Sequence, residues 1–154
     1  DDVIIHETSA TEQLMQVYRE HGGSVIAVTE APDEIVHTKG IVGGTAVGDD
    51  VYSVDVMVEK PALEDAPSNL AIVARYILDN AVFDYLAEER SGAGGEIQIT
   101  DAIAALLGNS PVHARQISGF HADTGNPGGM LEASIYVAKQ DPDLAEVVRR
   151  ALAD

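Results

Sequence analysis

A run of apolar residues from position 70 to position 78 constrains the fold of this chain more than any other segment. Its side chains are apolar on both faces of an extended strand, so both faces need to be covered by other elements. Residues 51–58 are also rich in β-branched residues and are predicted to place Val54, Val56 and Val58 on one face. Because such strand segments alternate with helical segments along the chain, we predict an α/β fold built in layers.

Capping residues mark the expected helices. The sequence Ser9-Ala-Thr-Glu12 fits a capping box, in which the serine hydroxyl and the glutamate carboxylate each satisfy a backbone N–H group. The helix that it predicts ends before Gly22. Thr100 is predicted to cap a later helix, which Gly108 closes. Further helices are expected over residues 79–90, 130–140 and 142–152.

Glycine-rich stretches separate several of these elements. Residues 43–48 and 92–95 match neither the G-x-G-x-x-G spacing nor the P-loop spacing that cradles phosphates, so both are predicted to be turns. Ile41 and Val42 are expected to form a short strand before the first of them. Residues 119–129 are predicted to form a further glycine-rich loop.

The charge of the chain excludes several classes of partner. It has 9 Lys+Arg against 26 Asp+Glu, a formal net charge of −17, whereas nucleic acids and anionic membranes are bound by clustered cations. We therefore expect neither nucleic acid nor a membrane as a partner. A phosphate-bearing ligand would need a divalent cation or a few well-placed lysines or arginines. The chain has no cysteine, which suits a reducing compartment, and we expect a cytoplasmic protein.

Two short segments carry residues suited to chemistry. Glu59-Lys60-Pro61 follows a strand, where open α/β sheets bind ligands, and its charges could meet sugar hydroxyls and a phosphate. A solvated turn explains the same tripeptide. Asp123 begins an Asp-Thr-Gly-Asn-Pro loop, which either forms an Asx turn or binds a hard cation with a second carboxylate. His121 is set apart from the other histidines because it lies two residues before Asp123.

Read in order, four motifs resemble the bacterial UTP–glucose-1-phosphate uridylyltransferase family. They are Met57-Val-Glu-Lys-Pro61, Ala66-Pro-Ser-Asn-Leu-Ala-Ile-Val-Ala-Arg-Tyr76, Gly94-Gly-Glu-Ile-Gln-Ile-Thr-Asp-Ala-Ile103 and His121-Ala-Asp-Thr-Gly-Asn126. Their joint order and spacing make the resemblance specific, and it is strong from residue 51 to about residue 138. It implies a Rossmann-like nucleotide-diphospho-sugar transferase fold, with a mixed sheet and flanking helices, a magnesium cofactor and a homo-oligomer.

The resemblance also implies roles for individual residues. The implied substrate-binding residues are Gly40, Glu59, Lys60, Asn69 and Ile72. Glu59 would hold the glucose hydroxyls and Lys60, the implied catalytic residue, would hold the sugar phosphate. Asp1 and Asp123 would be the two magnesium ligands. The implied reaction is attack of a glucose-1-phosphate oxygen on the α-phosphorus of UTP, which yields UDP-glucose and pyrophosphate mainly by positioning and electrostatics.

The chain departs from the family at its beginning. The family's G-x-G-T-R loop and the lysine that follows it, which cradle the triphosphate, are absent. Residues 1–154 are therefore expected to be the C-terminal, sugar-phosphate-binding portion of the enzyme, with most of the UTP site elsewhere and no activity alone. Ala74 replaces a common glycine and Lys39 a common aromatic residue. Two alternatives stay open: a sister enzyme such as a thymidylyltransferase, or a non-catalytic sugar-phosphate-binding or oligomerisation module.

Overall fold

The structure is a computed structural model in which residues 1–87 and 97–153 are described. Within these residues, strands and helices alternate as the α/β pattern predicts. The strands are β1 (Asp2–Ile5), β2 (Ser24–Glu30), β3 (Gly40–Gly48), β4 (Val51–Glu59), β5 (Leu70–Ile77), β6 (Val112–Gln116) and β7 (Phe120–Asp123). The helices are α1 (Ala10–His21), α2 (Asp33–Val36), α3 (Val82–Ala87), α4 (Ile99–Leu106), α5 (Pro127–Ala138) and α6 (Pro142–Ala151). The turn predicted at residues 92–95 and the end of the helix predicted over residues 79–90 lie outside the described residues.

The chain divides into two compact units. One consists of Thr8–Ser118, and the other combines Asp1–Glu7 with the chain from Gly119 onward. In the first unit, five strands close into a barrel in the order β2-β5-β3-β4-β6, where β6 pairs again with β2. The β2–β6 pair is parallel and the other pairs are antiparallel. The expectation of an α/β fold with a mixed sheet and flanking helices is therefore confirmed.

The core of the first unit joins the barrel to α4. Ile103 and Leu106, three residues apart on one helix face, are fully buried. They belong to one cluster of buried side chains with Ile26, Val28 and Val42 of the barrel. Burying a side chain of this size contributes roughly 1.5–3 kcal/mol, so this apolar stripe holds α4, including its first turn, in a fixed place on the strands.

Strand β5 is central, as predicted, because it pairs with β2 on one side and with β3 on the other. Its first half, from Leu70 to Val73, is buried. The second half differs, since Arg75 and Tyr76 are exposed. The β3–β5 pairing covers Leu70 and Ala71 and does not extend to Arg75 and Tyr76. The expectation that both faces are buried along the whole strand is therefore wrong for its second half.

Residues 40–48 form the nine-residue strand β3, so the predicted short strand followed by a turn is wrong. Gly44 makes the longer strand possible, because a Cβ at this position would collide with the Ser53 carbonyl oxygen of β4. A bulge beside Gly44 also shifts the register between the two strands. Val54 is buried whereas Val56 is exposed, so the predicted single valine face of β4 does not form.

Helix α1 forms where its capping box predicts. The Glu12 backbone N–H donates to the Ser9 hydroxyl oxygen at 3.2 Å. The helix ends at His21, before Gly22, whose φ of 70° lies in the left-handed region. The Glu12 carboxylate contacts Arg19 Nη1 at 2.6 Å, and this hydrogen bond, together with the Glu12 charge, raises the pKa of Arg19.

The end of α1 places His21 against a buried histidine of β6. The ring centroids of His21 and His113 are 4.9 Å apart. His113 is 8% exposed, and its Nδ1 has no hydrogen-bond partner among the described residues. Burial lowers the pKa of His113 and the charge of His21 lowers it further, while the Gly22 backbone acts in the opposite direction. The environment therefore favours a neutral His113.

The second unit is built on a two-stranded antiparallel sheet. β1 and β7 pair with Asp2 opposite Asp123 and Ile5 opposite Phe120. The loop predicted over residues 119–129 therefore contains a strand, and α5 begins before the loop was expected to end. Four residues are too few to display a clear alternation of apolar and polar side chains, and the partner strand lies at the other end of the sequence.

Local capping signals set the starts of α5 and α6. Asn126 Oδ1 accepts a hydrogen bond from the Gly129 backbone N–H at 2.9 Å. Asp141 Oδ1 accepts one from the Asp143 N–H at 2.9 Å, and Pro142 occupies the first helical turn, as predicted. Among the described helices, none combines the length and the hydropathy that crossing a membrane requires.

Candidate functional site

Strands β3, β4 and β5 bring three of the predicted sugar-pocket residues together. Gly40 is the register partner of Glu59, whose side chain is 12% exposed. A Cβ built on Gly40 would lie 3.0 Å from Glu59 Oε2 and 3.0 Å from Ile72 Cδ1 of β5. It would also lie 3.1 Å from the Thr100 hydroxyl oxygen of α4. These atoms border one small space beside the Gly40 backbone, with both polar and apolar sides.

Thr100 is the residue of this group that the sequence did not identify. It was expected to cap a helix, but Gln98 takes the N-cap position, and Thr100 lies inside α4 and is 6% exposed. The family motif that runs from Gly94 to Ile103 includes Thr100, so this motif could have marked Thr100 as a candidate site residue. The local sequence could not separate a capping hydroxyl from one that borders the Gly40 space, because that difference depends on where α4 packs.

Lys60 follows Glu59 in a strained backbone conformation. Its φ is 49°, in the left-handed region, which costs a residue other than glycine roughly 1–2 kcal/mol. Its backbone N–H donates to the Lys39 carbonyl oxygen at 3.0 Å, which helps to hold the turn. Lys60 Nζ lies 3.7 Å from Glu59 Oε1, and the lysine side chain is 49% exposed. The two Glu59 oxygens therefore have different neighbours, Lys60 at Oε1 and the Gly40 space at Oε2.

Asn69 occupies a different position from the other predicted residues. It directly precedes β5, where its carbonyl oxygen accepts a hydrogen bond from the Ala31 N–H at 2.9 Å, and its side chain is exposed. The three nearest atoms to a Cβ at Gly40 do not include it. The structure thus brings Gly40, Glu59 and Ile72 together, whereas Asn69 lies just before the start of β5, the strand that carries Ile72.

The second unit holds the two predicted metal ligands. The Thr124 backbone N–H donates to the Asp1 carbonyl oxygen at 2.9 Å, and the Thr124 hydroxyl donates to the same oxygen at 2.5 Å. The Gly125 N–H donates to Asp123 Oδ1 at 3.0 Å, which forms the Asx turn that the loop sequence suggests. Both aspartates are therefore fixed at the same end of the β1–β7 ladder.

The carboxylates of Asp1 and Asp123 border a common space at Gly125. A Cβ on Gly125 would collide with Asp1 Oδ2 and would lie 3.1 Å from Asp123 Oδ1. Two carboxylates are a donor set that Mg²⁺ accepts, because this ion completes its shell with water and phosphate oxygens. In residues 1–87 and 97–153 no group of three or more His, Asp or Glu side chains could hold a metal ion. An ion held by these two carboxylates alone would take most of its ligands from water or from a bound molecule.

His121 and Asp2 form a close contact in the same unit. His121 Nε2 and Asp2 Oδ1 are 2.6 Å apart, with side chains that are 22% and 12% exposed. His121 lies in β7 opposite Ile4, rather than in the loop that the sequence predicted. A carboxylate oxygen accepts hydrogen bonds, so Nε2–H is the donor.

The comparisons with known proteins agree with the motifs. The family model described as nucleotidyl transferase matches residues 1–140. A UTP–glucose-1-phosphate uridylyltransferase of Staphylococcus haemolyticus (strain JCSC1435) is 43% identical over 146 residues, which are 95% of this chain and 51% of that protein. The UTP–glucose-1-phosphate uridylyltransferase YngB of Bacillus subtilis (strain 168) is 36% identical over 154 residues, which are 100% of this chain and 52% of that protein.

A solved structure has a closely similar fold. It is a UDP-glucose pyrophosphorylase complexed with UDP-glucose, which matches with a TM-score of 0.85 at 37% identity. The match covers 90% of this chain and 53% of that one. The chain thus spans about half the length of the curated relatives it matches.

Proposed function

We propose, since this chain belongs to the nucleotidyl transferase family, that it is part of an enzyme that forms UDP-glucose and pyrophosphate from UTP and glucose-1-phosphate. The relatives that match nearly the whole chain are named for this reaction, which favours UTP over other nucleotides. A structural neighbour holds UDP-glucose. This chain would contribute the sugar-phosphate side of the site, and most of the UTP site would lie in the half of the relatives that it does not span.

The arrangement around Gly40 carries this proposal. The Glu59 carboxylate can accept hydrogen bonds from sugar hydroxyls, and the Thr100 hydroxyl, which borders the same space, can donate or accept. Because Gly40 has no side chain, a ligand can approach the backbone closely. Ile72 supplies an apolar contact for the ring. Asn69, at the start of β5, completes the proposed sugar-binding set.

Lys60 is proposed to bind the sugar phosphate. Its half-exposed ammonium group is held next to the sugar-binding carboxylate by the strained turn. A phosphate monoester approaching a chain with a formal net charge of −17 needs such a local cation. The strain in the backbone is consistent with a functional position, since left-handed non-glycine residues are concentrated at binding sites.

Asp1 and Asp123 are proposed to hold Mg²⁺. Their carboxylate oxygens border the same space, and no side chain of Gly125 obstructs it. When bound, the ion would neutralise phosphate charge and help to align the two substrates. Thr124 holds the Asp1 backbone and the Gly125 N–H holds Asp123 Oδ1, which supports a pair of carboxylates positioned for an ion.

The proposed reaction needs no nucleophile from the protein. A phosphate oxygen of glucose-1-phosphate attacks the α-phosphorus of UTP, the bond to the β-phosphate oxygen breaks, and pyrophosphate leaves with the bonding electron pair. Glu59 and Thr100 orient the sugar, and Lys60 holds the attacking phosphate. The chain therefore contributes positioning and charge stabilisation, the two effects that dominate phosphoryl-transfer catalysis.

The proposal extends to the chain as a whole. Because the triphosphate-binding loop is absent from the sequence, we propose that residues 1–154 alone do not form UDP-glucose. A homo-oligomeric assembly and a cytoplasmic location are proposed on the family resemblance. A full-length parent protein that contains this chain would carry the complete site.

The experiment that tests the function compares Glu59→Gln with wild type in that parent protein. Glutamine keeps the shape of the side chain and removes its charge. A charged hydrogen bond contributes about 1.5–3 kcal/mol, so kcat/KM for glucose-1-phosphate should fall roughly tenfold to a hundredfold. Glu34→Gln on the exposed surface of α2 is the matched control and should retain the wild-type value. Absence of UDP-glucose formation by the wild-type parent, with UTP, glucose-1-phosphate and Mg²⁺ supplied, would overturn the proposal.

A further inference from the structure

Gln13 is a buried polar residue on the apolar face of α1. It is 3% exposed, and the other buried residues of this helix are all apolar, namely Ala10, Leu14 and Val17. Gln13 Nε2 donates to the Thr8 carbonyl oxygen at 3.0 Å and to the Ser118 carbonyl oxygen at 3.1 Å. Gln13 Oε1 accepts a hydrogen bond from the Ser118 N–H at 2.8 Å. Only an amide side chain provides two N–H donors and an acceptor together, so the partners account for the residue type.

The partners of Gln13 are the two ends of the first compact unit. Thr8 is the first residue of that unit and Ser118 is the last, 105 residues after Gln13. The chain therefore passes from one unit to the other twice, and a single buried amide holds both passages. In the second unit, the same two segments approach closely, since a Cβ on Gly119 would lie 2.6 Å from the Ile5 carbonyl oxygen.

We infer that Gln13 closes the β1–β7 pair in the way that a turn closes a hairpin, and that it thereby positions Asp1 beside Asp123. Gln13 is a positioning residue in this inference, because it acts through the backbones of Thr8 and Ser118. The inference rests on the proposed function, which gives the Asp1–Asp123 pair its role as a cation site.

The β1–β7 pair needs such a link because it is short and its strands are distant in sequence. Each strand has four residues, and an isolated two-stranded sheet is only marginally stable. All of residues 8–118 lie between the strands, and the entropic cost of closing a loop grows with its length. Once Thr8 and Ser118 are joined, only residues 6–7 and residue 119 separate them from the paired residues Ile5 and Phe120.

The same link explains how the register of the ladder is chosen. The observed register places Asp2 opposite Asp123, and Asp1 Oδ2 and Asp123 Oδ1 then border the Gly125 space. A slip of one residue would turn the side chains of one strand to the opposite face. The two carboxylates would then no longer border one space. In a hairpin the turn fixes the register, and here the joined ends of the first unit take that part.

Hydrogen exchange on the full chain tests the inference without relying on activity. Gln13→Met keeps the length of the side chain and a good helix former, but it removes all three hydrogen bonds. We expect the protected amides of β1 and β7 to exchange roughly tenfold faster or more, while those of β2 and β5 change by less than about threefold. Val17→Ala, at a buried position one turn later on α1, is the control and should not accelerate β1 and β7 selectively.

Mn²⁺ binding, followed by electron paramagnetic resonance, provides a second readout. A site that is formed in only a fraction of the molecules loses apparent affinity by that fraction, so Gln13→Met should raise the Mn²⁺ dissociation constant at least about threefold. Gln13→Glu keeps the acceptor for the Ser118 N–H and loses both donors, so it should change both measurements in the same direction.

Circular dichroism establishes which variants are folded, and Gln13→Glu decides the question if Gln13→Met is unfolded. Unchanged exchange in β1 and β7, an equal acceleration in the barrel, or an unchanged Mn²⁺ dissociation constant overturns the inference. Unfolding of both variants also overturns it, because Gln13 would then serve folding in general. The same holds for wild-type protein that has no protected amides in β1 and β7 or that binds no Mn²⁺.

The proposed function is judged separately, by UDP-glucose formation in the parent protein with its sequence unchanged. Failure of the Gln13 inference with successful UDP-glucose formation leaves the function intact. Selective exchange in β1 and β7 without UDP-glucose formation has the opposite meaning, so the two failures are distinguishable.

Discussion

Gly40 and Glu59 face each other across the β3–β4 ladder, and Glu59 Oε2 lies in the space that a side chain on Gly40 would enter. A methyl group there would be 3.0 Å from this oxygen and 3.1 Å from the Thr100 hydroxyl oxygen. Both separations are shorter than ordinary van der Waals contact with carbon, so the methyl group would crowd the site. Gly40 and the Glu59 carboxylate therefore border one small space.

Gly40→Ala should weaken glucose-1-phosphate binding in the parent protein. Overpacking of this kind costs roughly 1–3 kcal/mol, which corresponds to an increase in the dissociation constant of roughly fivefold to somewhat over a hundredfold. Isothermal titration calorimetry measures the change. Gly48→Ala in the same strand is the control, because the nearest atom to its Cβ is Val51 Cβ at 3.8 Å. Equal affinity in the two variants would show that the ligand lies elsewhere.

Replacement of Lys60 by alanine and by glycine separates its charge from its backbone strain. Both variants lose the ammonium group, so the KM for glucose-1-phosphate should rise to a similar extent, roughly tenfold or more, while the KM for UTP changes little. Only glycine tolerates a φ of 49° without cost, so Lys60→Gly should be about 1 kcal/mol more stable than Lys60→Ala in urea denaturation. A defect confined to UTP would assign Lys60 a different role.

Thr100→Val tests the hydroxyl that borders the Gly40 space. Valine matches the shape of threonine, so the packing of α4 is retained while the hydroxyl is lost. We expect glucose-1-phosphate affinity to fall about threefold to tenfold, the usual effect of one neutral hydrogen bond, and Thr100→Ser to recover most of it. If Thr100→Val binds as tightly as wild type and is less stable, the hydroxyl serves the helix rather than the ligand.

His113 predicts a specific pH dependence of stability. Its pKa in the folded chain is lowered by burial and by His21, so the unfolded chain takes up a proton at a higher pH than the folded chain does. The neutral form of His113 contributes fully to the free energy of unfolding above the ordinary histidine pKa of about 6.5. This contribution is lost as the pH falls below that value. Urea denaturation at a pH above about 6.5 and at several lower pH values measures the decrease in the free energy of unfolding.

The matched variants for this effect are His113→Leu and His37→Leu. The first removes the buried imidazole, so the dependence of unfolding free energy on pH below about 6.5 should flatten. The second removes an exposed histidine and should leave the wild-type slope in place. A slope that persists in His113→Leu would assign the effect to other groups.

Features coded by neighbouring residues were predictable from the sequence. The Ser9 cap of α1 and the Asp141-Pro142 start of α6 depend on contacts within one helical turn, and both form as expected. The end of β4 at Glu59 was predictable in the same way, because Pro61 follows two residues later, while the roles of Glu59 and Lys60 stay predictions. Local chemistry of this kind does not depend on where the rest of the chain lies.

Features that depend on distant partners were not predictable. Gly44 reads as a turn residue until Ser53 of the neighbouring strand is known to approach its backbone. The strand at Phe120 is stabilised by β1 at the far end of the sequence. Thr100 reaches the Gly40 space only because the apolar stripe of α4 packs on the barrel. In each case the deciding contact is tertiary, and the local pattern alone supports a different structure.

The unit that holds Asp1 and Asp123 is discontinuous in sequence, since all of residues 8–118 lie between its two parts. During synthesis, β1 leaves the ribosome long before its partner β7 exists, whereas the strands of the inserted barrel can already pair with one another. The entropic cost of closing so long a loop also delays the β1–β7 contact. We therefore expect the acidic pair to assemble late in folding, so that the proposed cation site forms only after β7 has been synthesised.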